Sequence, residues 1–220
     1  MHYDPVNGRH GLRFDPFKAL VVPRPIGWIG TLSREGVANL APYSFFNAVS
    51  DHPPVVMFSS HGRKDSLRNI EATGEFTCSL ATHDLRERMN LSSAMVSPEV
   101  DEFELSGLTA APGVYVKAPR VAESPAALEC KFWQKIDLPS AGGRTGYTVI
   151  FGTVVGIHID DRFIRDGLVD APAMKPLARL GYMDYSVLSH DNVFSLNRPT
   201  VSGDGREATV VAGAWDGVYR

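Results

Sequence analysis

Short apolar runs follow one another along the chain, each cut off by glycine, proline or a polar cluster. Residues 27–32 form one run, Ser33-Arg34-Glu35-Gly36 interrupts it, and 37–40 form the next; two runs with a four-residue polar connection predict a β-hairpin. Val55-Val56-Met57-Phe58-Ser59 predicts a buried strand, and 76–80 another. Residues 65–74 predict a short helix, with Asp65 as N-cap and Gly74 as its stop. Residues 83–90 predict a second helix, with Leu85 and Met89 four apart on one face. Over 127–135 the alternation places Leu128, Cys130 and Phe132 on one face of a strand. Residues 147–159 read as a long strand broken by Gly152 and Gly156, residues that mark bulges or a bend at a barrel corner. Residues 172–180 start near Pro172 as a turn or short helix. Many strands, two or three short helices and no βαβ alternation predict a mainly β, barrel-like fold rather than a doubly wound sheet.

Composition narrows this further. The 220 residues suffice for one domain with a real core, and 20 Gly with 15 Pro are spread along the chain as punctuation, without repeats or low-complexity blocks. Beyond Arg198-Pro199 the chain turns polar and Gly-rich and ends with Trp215 and Tyr219, so 1–200 is expected as the domain and 201–220 as a tail, either loose or packed on a neighbour. Lys plus Arg number 22 against 25 Asp plus Glu, a net charge of −3. That balance argues against binding nucleic acid by bulk electrostatics, and leaves open one local anion site. Cys78 and Cys130 each sit in an apolar run without CxxC spacing, which reads as two packed thiols; a redox pair would require that they be neighbours. The first residues lack the pattern of a signal peptide, and the longest charge-free stretches, 36–50 and 145–159, fall short of the ~20 residues of a spanning helix. A soluble, cytoplasmic protein without a membrane partner is expected.

Most recognisable catalytic motifs are missing. No GxGxxG follows a strand, no GxSxG occurs, and the seven histidines lack metal-ligand spacing, so His158 reads as structural and no metal is expected. The Gly-rich stretch 140–146 lacks a Walker ending and reads as a hairpin loop. Two stretches carry chemistry. Ser59-Ser60-His61-Gly62-Arg63-Lys64-Asp65-Ser66 places two cations and three hydroxyls where a strand enters a helix, a composition suited to a phosphate monoester and equally to a solvated capping loop. Pro42-Tyr43-Ser44-Phe45-Phe46-Asn47 leads through Ala48 to Pro53-Pro54. Its Ser and Asn could bond the polar edge of a flat heterocycle while the Phe rings cover a face; a core crossover is the plainer reading.

In order along the chain, Pro23-Arg24-Pro25-Ile26-Gly27-Trp28-Ile29-Gly30-Thr31, Asn39-Leu40-Ala41-Pro42-Tyr43-Ser44-Phe45-Phe46-Asn47, Pro53-Pro54, Arg63-Lys64-Asp65-Ser66-Leu67-Arg68-Asn69-Ile70 and Pro176-Leu177-Ala178-Arg179-Leu180-Gly181 resemble the flavin reductase-like family of FMN-binding split-barrel flavoproteins. The resemblance spans roughly residues 17–200. It implies a six-stranded, Greek-key-like split β-barrel, a homodimer, and FMN bound at or near the dimer interface. It also implies hydride transfer from NADH or NADPH to flavin N5 without a catalytic side chain, with flavin or another acceptor taking the electrons. A monooxygenase partner would fit a two-component system; a flavoredoxin-like electron carrier is the alternative. Carried over by position, Ser59, Arg63, Lys64 and Ser66 would hold the FMN phosphate. Ser44, Phe45, Phe46, Asn47 and Ala48 would border the isoalloxazine, Trp28, Ile29 and Thr31 would line the pocket, and Arg179 would lie near the flavin or its substrate. The chain departs from the family pattern at Ser79, where Asn is common, and at Tyr182, where a second Gly is common.

Overall fold

The computed structural model describes residues 1–6, 8–140 and 145–218. Seven antiparallel strands build its main sheet: β1 (Gly27–Leu32), β2 (Ala38–Tyr43), β3 (Phe46–Asp51), β4 (Pro54–His61), β5 (Glu75–Leu80), β6 (Ala126–Asp137) and β7 (Tyr147–Ile159). Their order is β2-β1-β5-β6-β7-β4-β3. The two edge strands, β2 and β3, are consecutive in sequence and joined only by Ser44 and Phe45. Such a connection brings the two ends of the sheet together, so the sheet curls into a barrel with one seam left open. The architecture is a split β-barrel with a few short helices. The sheet has seven strands where six were expected. The uncounted strand, β3, is almost wholly exposed and shows no apolar alternation, so its sequence carries no strand signal.

The hairpin between β1 and β2 forms as expected. Ser33 N donates to Val37 O at 2.9 Å, and Gly36 takes φ +89°, a left-handed conformation that favours glycine. The β7 glycines mark irregularities: the register against β6 shifts at Phe151/Gly152 and again at Val154/Gly156. At Gly152 a Cβ would overlap the Phe76 ring. The helix α1 (Asp65–Thr73) ends on Gly74 at φ +76°, whose N–H reaches Ile70 O. Its N-cap is Lys64 rather than Asp65; Asp65 is already helical and its carboxylate pairs with Arg68. The helix expected at 83–90 divides into a 3₁₀ turn, His83–Leu85, and α2 (Arg86–Leu91). A third short helix, α3 (Glu102–Leu105), is N-capped by Asp101. Beyond it, a 3₁₀ turn Ala171–Met174 leads into the strand Leu177–Arg179, which pairs with Arg24–Pro25 and with Tyr185–Val187.

The chain has two apolar clusters, and β1 lies between them. Trp28 points into one with Leu40, Met89 of α2, Phe103 of α3 and Leu177. Ile29 points into the other with Val56, Phe58, Leu67, Ile70, Phe76 and Ile150. Burial on both faces explains why 27–32 reads as an uninterrupted apolar run rather than an alternation. Cys78 and Cys130 share the second cluster on neighbouring strands, both free and both buried. Burial, with Cys130 beside it, pushes the Cys78 thiol well up. Thiols in that state are poor nucleophiles.

Residues 189–218 form a separate compact unit with a small hairpin, Thr200–Val201 against Ala208–Thr209, and a bond from Trp215 Nε1 to Val218 O. The unit therefore begins earlier than the tail read from composition. Of the Gly-rich loop at 140–146, residues 141–144 lie outside the described residues, as does Tyr219. Among the described residues, no helix is long and apolar enough to cross a membrane.

Two carboxylates hold the loop that runs alongside β6. Glu129 accepts from the N–H groups of Val114, Tyr115 and Val116, and Glu75 accepts from Lys117 N and pairs with Lys131. Burial opposes the charge on Glu129, but the three N–H donors and Arg120 outweigh it and hold its carboxyl below the ordinary range. Because the folded-state value is depressed, this stabilisation is complete above the ordinary carboxylate pKa and is lost as pH falls through the lower folded one. The amides of Val114, Tyr115 and Val116 should therefore keep their hydrogen-exchange protection through mildly acidic pH and lose it only below the ordinary carboxylate range. Glu129→Gln should lose it at neutral pH, with a destabilisation of roughly 1.5–3 kcal/mol. Unchanged protection in that variant would show that the carboxylate does not hold the loop.

Candidate functional site

The seam is where the chemistry-bearing residues converge. Phe46 opens β3 with its ring against Gly27, where a Cβ would come 2.5 Å from the ring's Cδ2. A side chain at position 27 would therefore displace Phe46. Phe45 O accepts from Ser59 N at 2.8 Å, tying the seam to the end of β4. The Phe45 ring lies 5.8 Å from that of Tyr147, which lies 4.8 Å from His61. On another side of Phe45, the Arg24 guanidinium carbon is 6.0 Å from its ring centre. Ser44 is half-buried; Asn47 and Ala48 are exposed on β3, with Asn47 Oδ1 accepting from Ala48 N at 2.9 Å.

Next to the seam lies the loop from β4 into α1. The Ser59 Oγ is buried and has no partner among the described residues, an orphan that a ligand oxygen would satisfy. Gly62 takes φ +72° and turns the chain, with its N–H on Gly146 O at 3.0 Å. No side chain caps α1, so its first-turn N–H groups remain open. Arg63 pairs with Glu71 at 2.7 Å, and Glu71 also holds Lys135 at 2.6 Å. Lys64 is exposed and makes no ion pair among the described residues. The loop thus offers donors and unbalanced positive charge, which suits an anionic oxygen cluster.

Four expected site residues have buried side chains in this structure. Trp28 and Ile29 are fully buried on opposite faces of β1, and Trp28 Nε1 is satisfied by Ser92 Oγ at 2.9 Å. Neither lines an open pocket. Thr31 and Ser66 belong to an internal polar network. Ser66 Oγ donates to Asn39 Oδ1 at 2.9 Å, Thr31 Oγ1 to the same oxygen at 3.2 Å, and Asn69 Nδ2 to Thr31 Oγ1 at 3.1 Å. Asn39 Nδ2 and Leu40 N both reach Glu102 Oε2, whose carboxyl burial pushes up. Tyr43 adds a buried hydroxyl beside Ser66 and Ser60, and burial pushes it up as well. What Ser66 offers a ligand is therefore its backbone N–H in the open first turn of α1, not its hydroxyl.

Arg179 and Ser44 line a cleft of about 580 Å³ together with Arg24, Tyr182 and two residues the sequence did not single out, Lys18 and Tyr185. Arg24 and Arg179 are register partners on paired strands. Arg24 is buried, with Nη1 on the carbonyls of Lys18 and Val21 and Nη2 on that of Leu180. Arg179 donates to the Tyr182 carbonyl, and its guanidinium carbon sits 4.5 Å from the Tyr185 ring centre. Tyr182 occupies φ +52°, a left-handed conformation that favours glycine. The sequence signal for Arg24 was its place between two prolines, but only strand pairing shows that it faces Arg179.

A family model described as flavin reductase like domain matches residues 19–175. The chain belongs to the flavin reductase-like family. A protein of Aquifex aeolicus, itself uncharacterized, is 39% identical over 168 residues, covering 74% of this chain and 83% of the relative. Among solved structures, nitrilotriacetate monooxygenase component B from Bacillus cereus is similar at 28% identity and a TM-score of 0.76, covering 86% of this chain and 100% of that one. Pseudomonas fluorescens 2-nitrobenzoate 2-nitroreductase is similar at 29% identity and a TM-score of 0.74, covering 83% and 88%. Within this flavin reductase-like fold, the Asn39 network fixes α1 against β1 and β2. Ser66→Ala should lower unfolding free energy by about 1 kcal/mol in urea titrations. A midpoint equal to that of the parent protein would show that the network adds no stability.

Proposed function

We propose that the protein binds FMN along the seam and works as an NAD(P)H-dependent flavin oxidoreductase. The observation that carries this reading is the contiguity of the seam with the β4–α1 loop: Ser59, whose Oγ is buried and unpartnered, is hydrogen-bonded through its backbone to Phe45. A ring over Ser44, Phe45, Phe46, Asn47 and Ala48 would then have its phosphate end at Ser59, Arg63, Lys64 and the first-turn N–H groups of α1. When bound, FMN supplies a two-electron acceptor that takes hydride at N5. The chain's own residues bind, orient and shield. Lys64 and Arg63 supply charge-assisted donors to the phosphate, Ser44 and Asn47 meet the polar edge of the ring, and Phe45 and Phe46 exclude water from one face. NADH or NADPH would approach from the cleft that Ser44 shares with Arg179. The likeness to nitrilotriacetate monooxygenase component B supports delivery of electrons to a separate monooxygenase.

A second copy of the chain completes this reading. The outward face of β6 and β7 leaves Trp133 61% and Ile136 45% exposed. Trp133 packs edge-on against Phe151 at 5.9 Å, so the patch is an ordered surface rather than isolated side chains. The functional unit in this proposal is a homodimer formed through that face. Trp133→Glu should shift the sedimentation coefficient from dimer to monomer; a wild-type monomer at micromolar concentration would overturn it.

Anaerobic titration of the FMN-loaded protein tests the activity. NADH or NADPH should bleach the flavin absorbance rapidly. A protein that stays colourless in added FMN would overturn the reading, and one reduced only by a protein partner would be an electron carrier instead. Arg63→Ala combined with Lys64→Ala should weaken FMN more than tenfold and riboflavin much less, since each charge-assisted bond contributes about 1.5–3 kcal/mol. Equal losses for both flavins would show that these side chains do not read the phosphate.

A further inference from the structure

The cleft beside the seam is a second cationic centre, distinct from the β4–α1 loop. Lys18, Arg24 and Arg179 line it against a single carboxylate, Asp15, one of whose oxygens already accepts from Phe17 N. None of the three cations forms an ion pair among the described residues. Arg24 and Arg179 stand in register across paired strands, an arrangement in which like charges repel. Burial and the charge of Arg179 both push the Arg24 guanidinium down. Arg24 cannot turn away, because three carbonyl bonds hold it. Arg179 is anchored through Nη2, whereas its Nε and Nη1 donate to nothing in the described chain. A guanidinium held in place on an aromatic ring, with donors left over, matches a planar carboxylate. Tyr182 and Tyr185, both partly exposed in the cleft wall, supply flat apolar surface next to it.

In the proposed reading the one phosphate of FMN lies at the β4–α1 loop, so the charge in this cleft is open to a different ligand, with NADPH as the competitor that the test includes. We infer that the cleft binds an arenecarboxylate, its carboxylate on Arg179 and its ring against Tyr185 and Tyr182. The inference rests on the FMN reading only in giving the phosphate to the β4–α1 loop; the cations, the spare donors and the rings of the cleft stand without it.

Calorimetric titration of the purified protein, FMN-free and FMN-loaded, with benzoate, benzamide, inorganic phosphate and NADPH tests this. Benzoate should bind with a saturable isotherm, and benzamide and phosphate about tenfold more weakly or worse, because one lacks the charge and the other the ring. Arg179→Ala should weaken benzoate at least about tenfold, and Arg179→Lys, which keeps charge but loses the planar fork, should lie between. Tyr185→Leu should weaken benzoate and leave phosphate unchanged. Benzoate binding no tighter than benzamide or phosphate, or unaffected by Arg179→Ala, would overturn the inference. So would NADPH binding that depends on Arg179 while benzoate shows no isotherm. Flavin absorbance reports the FMN reading separately. A yellow protein indifferent to benzoate removes this inference alone, and a colourless protein that binds benzoate removes the FMN reading alone.

Discussion

A β-sheet cannot leave two long edges open without inviting further strand pairing, and a curled sheet meets that constraint by bringing its edges together. Here the edges are β2 and β3, and only Ser44 and Phe45 separate them in sequence. The short connection makes curling unavoidable. Yet β2 and β3 do not hydrogen-bond to each other, so the barrel closes in space without closing its ladder. Backbone groups and the side chains of Ser44, Phe45 and Phe46 remain at the open seam. The feature that makes the barrel split is thus also the feature that leaves a ligand-sized place on it.

The polar network beneath α1 is what makes that place specific. Asn39 on β2 is bonded to Ser66 of α1, to Thr31 of β1 and to Glu102 of α3. Every member is buried, and such groups favour one arrangement because a partner missed inside the protein costs more than one missed in water. The network therefore sets which end of α1 meets the seam. Apolar contacts from Leu67 and Ile70 would hold the helix down but tolerate sliding; the directed bonds fix its register.

Much of the fold was legible along the chain. The β1–β2 hairpin, the Gly74 stop and the Gly152 and Gly156 irregularities follow from local steric rules that act within a few residues. In the loops, the sequence brought out Ser59, Arg63, Lys64 and Ser44 through Ala48, which lie on the seam or next to it and make up the proposed site. It was misread on β1, because a single apolar run does not reveal that both its faces are covered. Trp28 and Ile29 serve two separate clusters for that reason, and Thr31 serves a network whose other members are far off in sequence. β3 was invisible because an exposed edge strand has no apolar face to alternate. The Arg24–Arg179 pairing was invisible because no local pattern links residues that meet only after the sheet is built.

Charge shows the same limit most sharply. A net charge of −3 describes the chain as a whole, and neither cationic centre follows from it. The two centres also differ in kind. At the β4–α1 loop, Arg63 is countered by Glu71, so the phosphate proposed there would exchange one partner for another. In the cleft, Arg24 and Arg179 face each other in register and neither is ion-paired to a carboxylate among the described residues. An anion seated there removes a repulsion already present in the folded state, which couples occupancy to stability by simple linkage. On the proposed reading, a second anion site of this kind is biased toward being filled. That bias requires no moving part beyond the Arg179 side chain, since Arg24 is already fixed by the backbone around it.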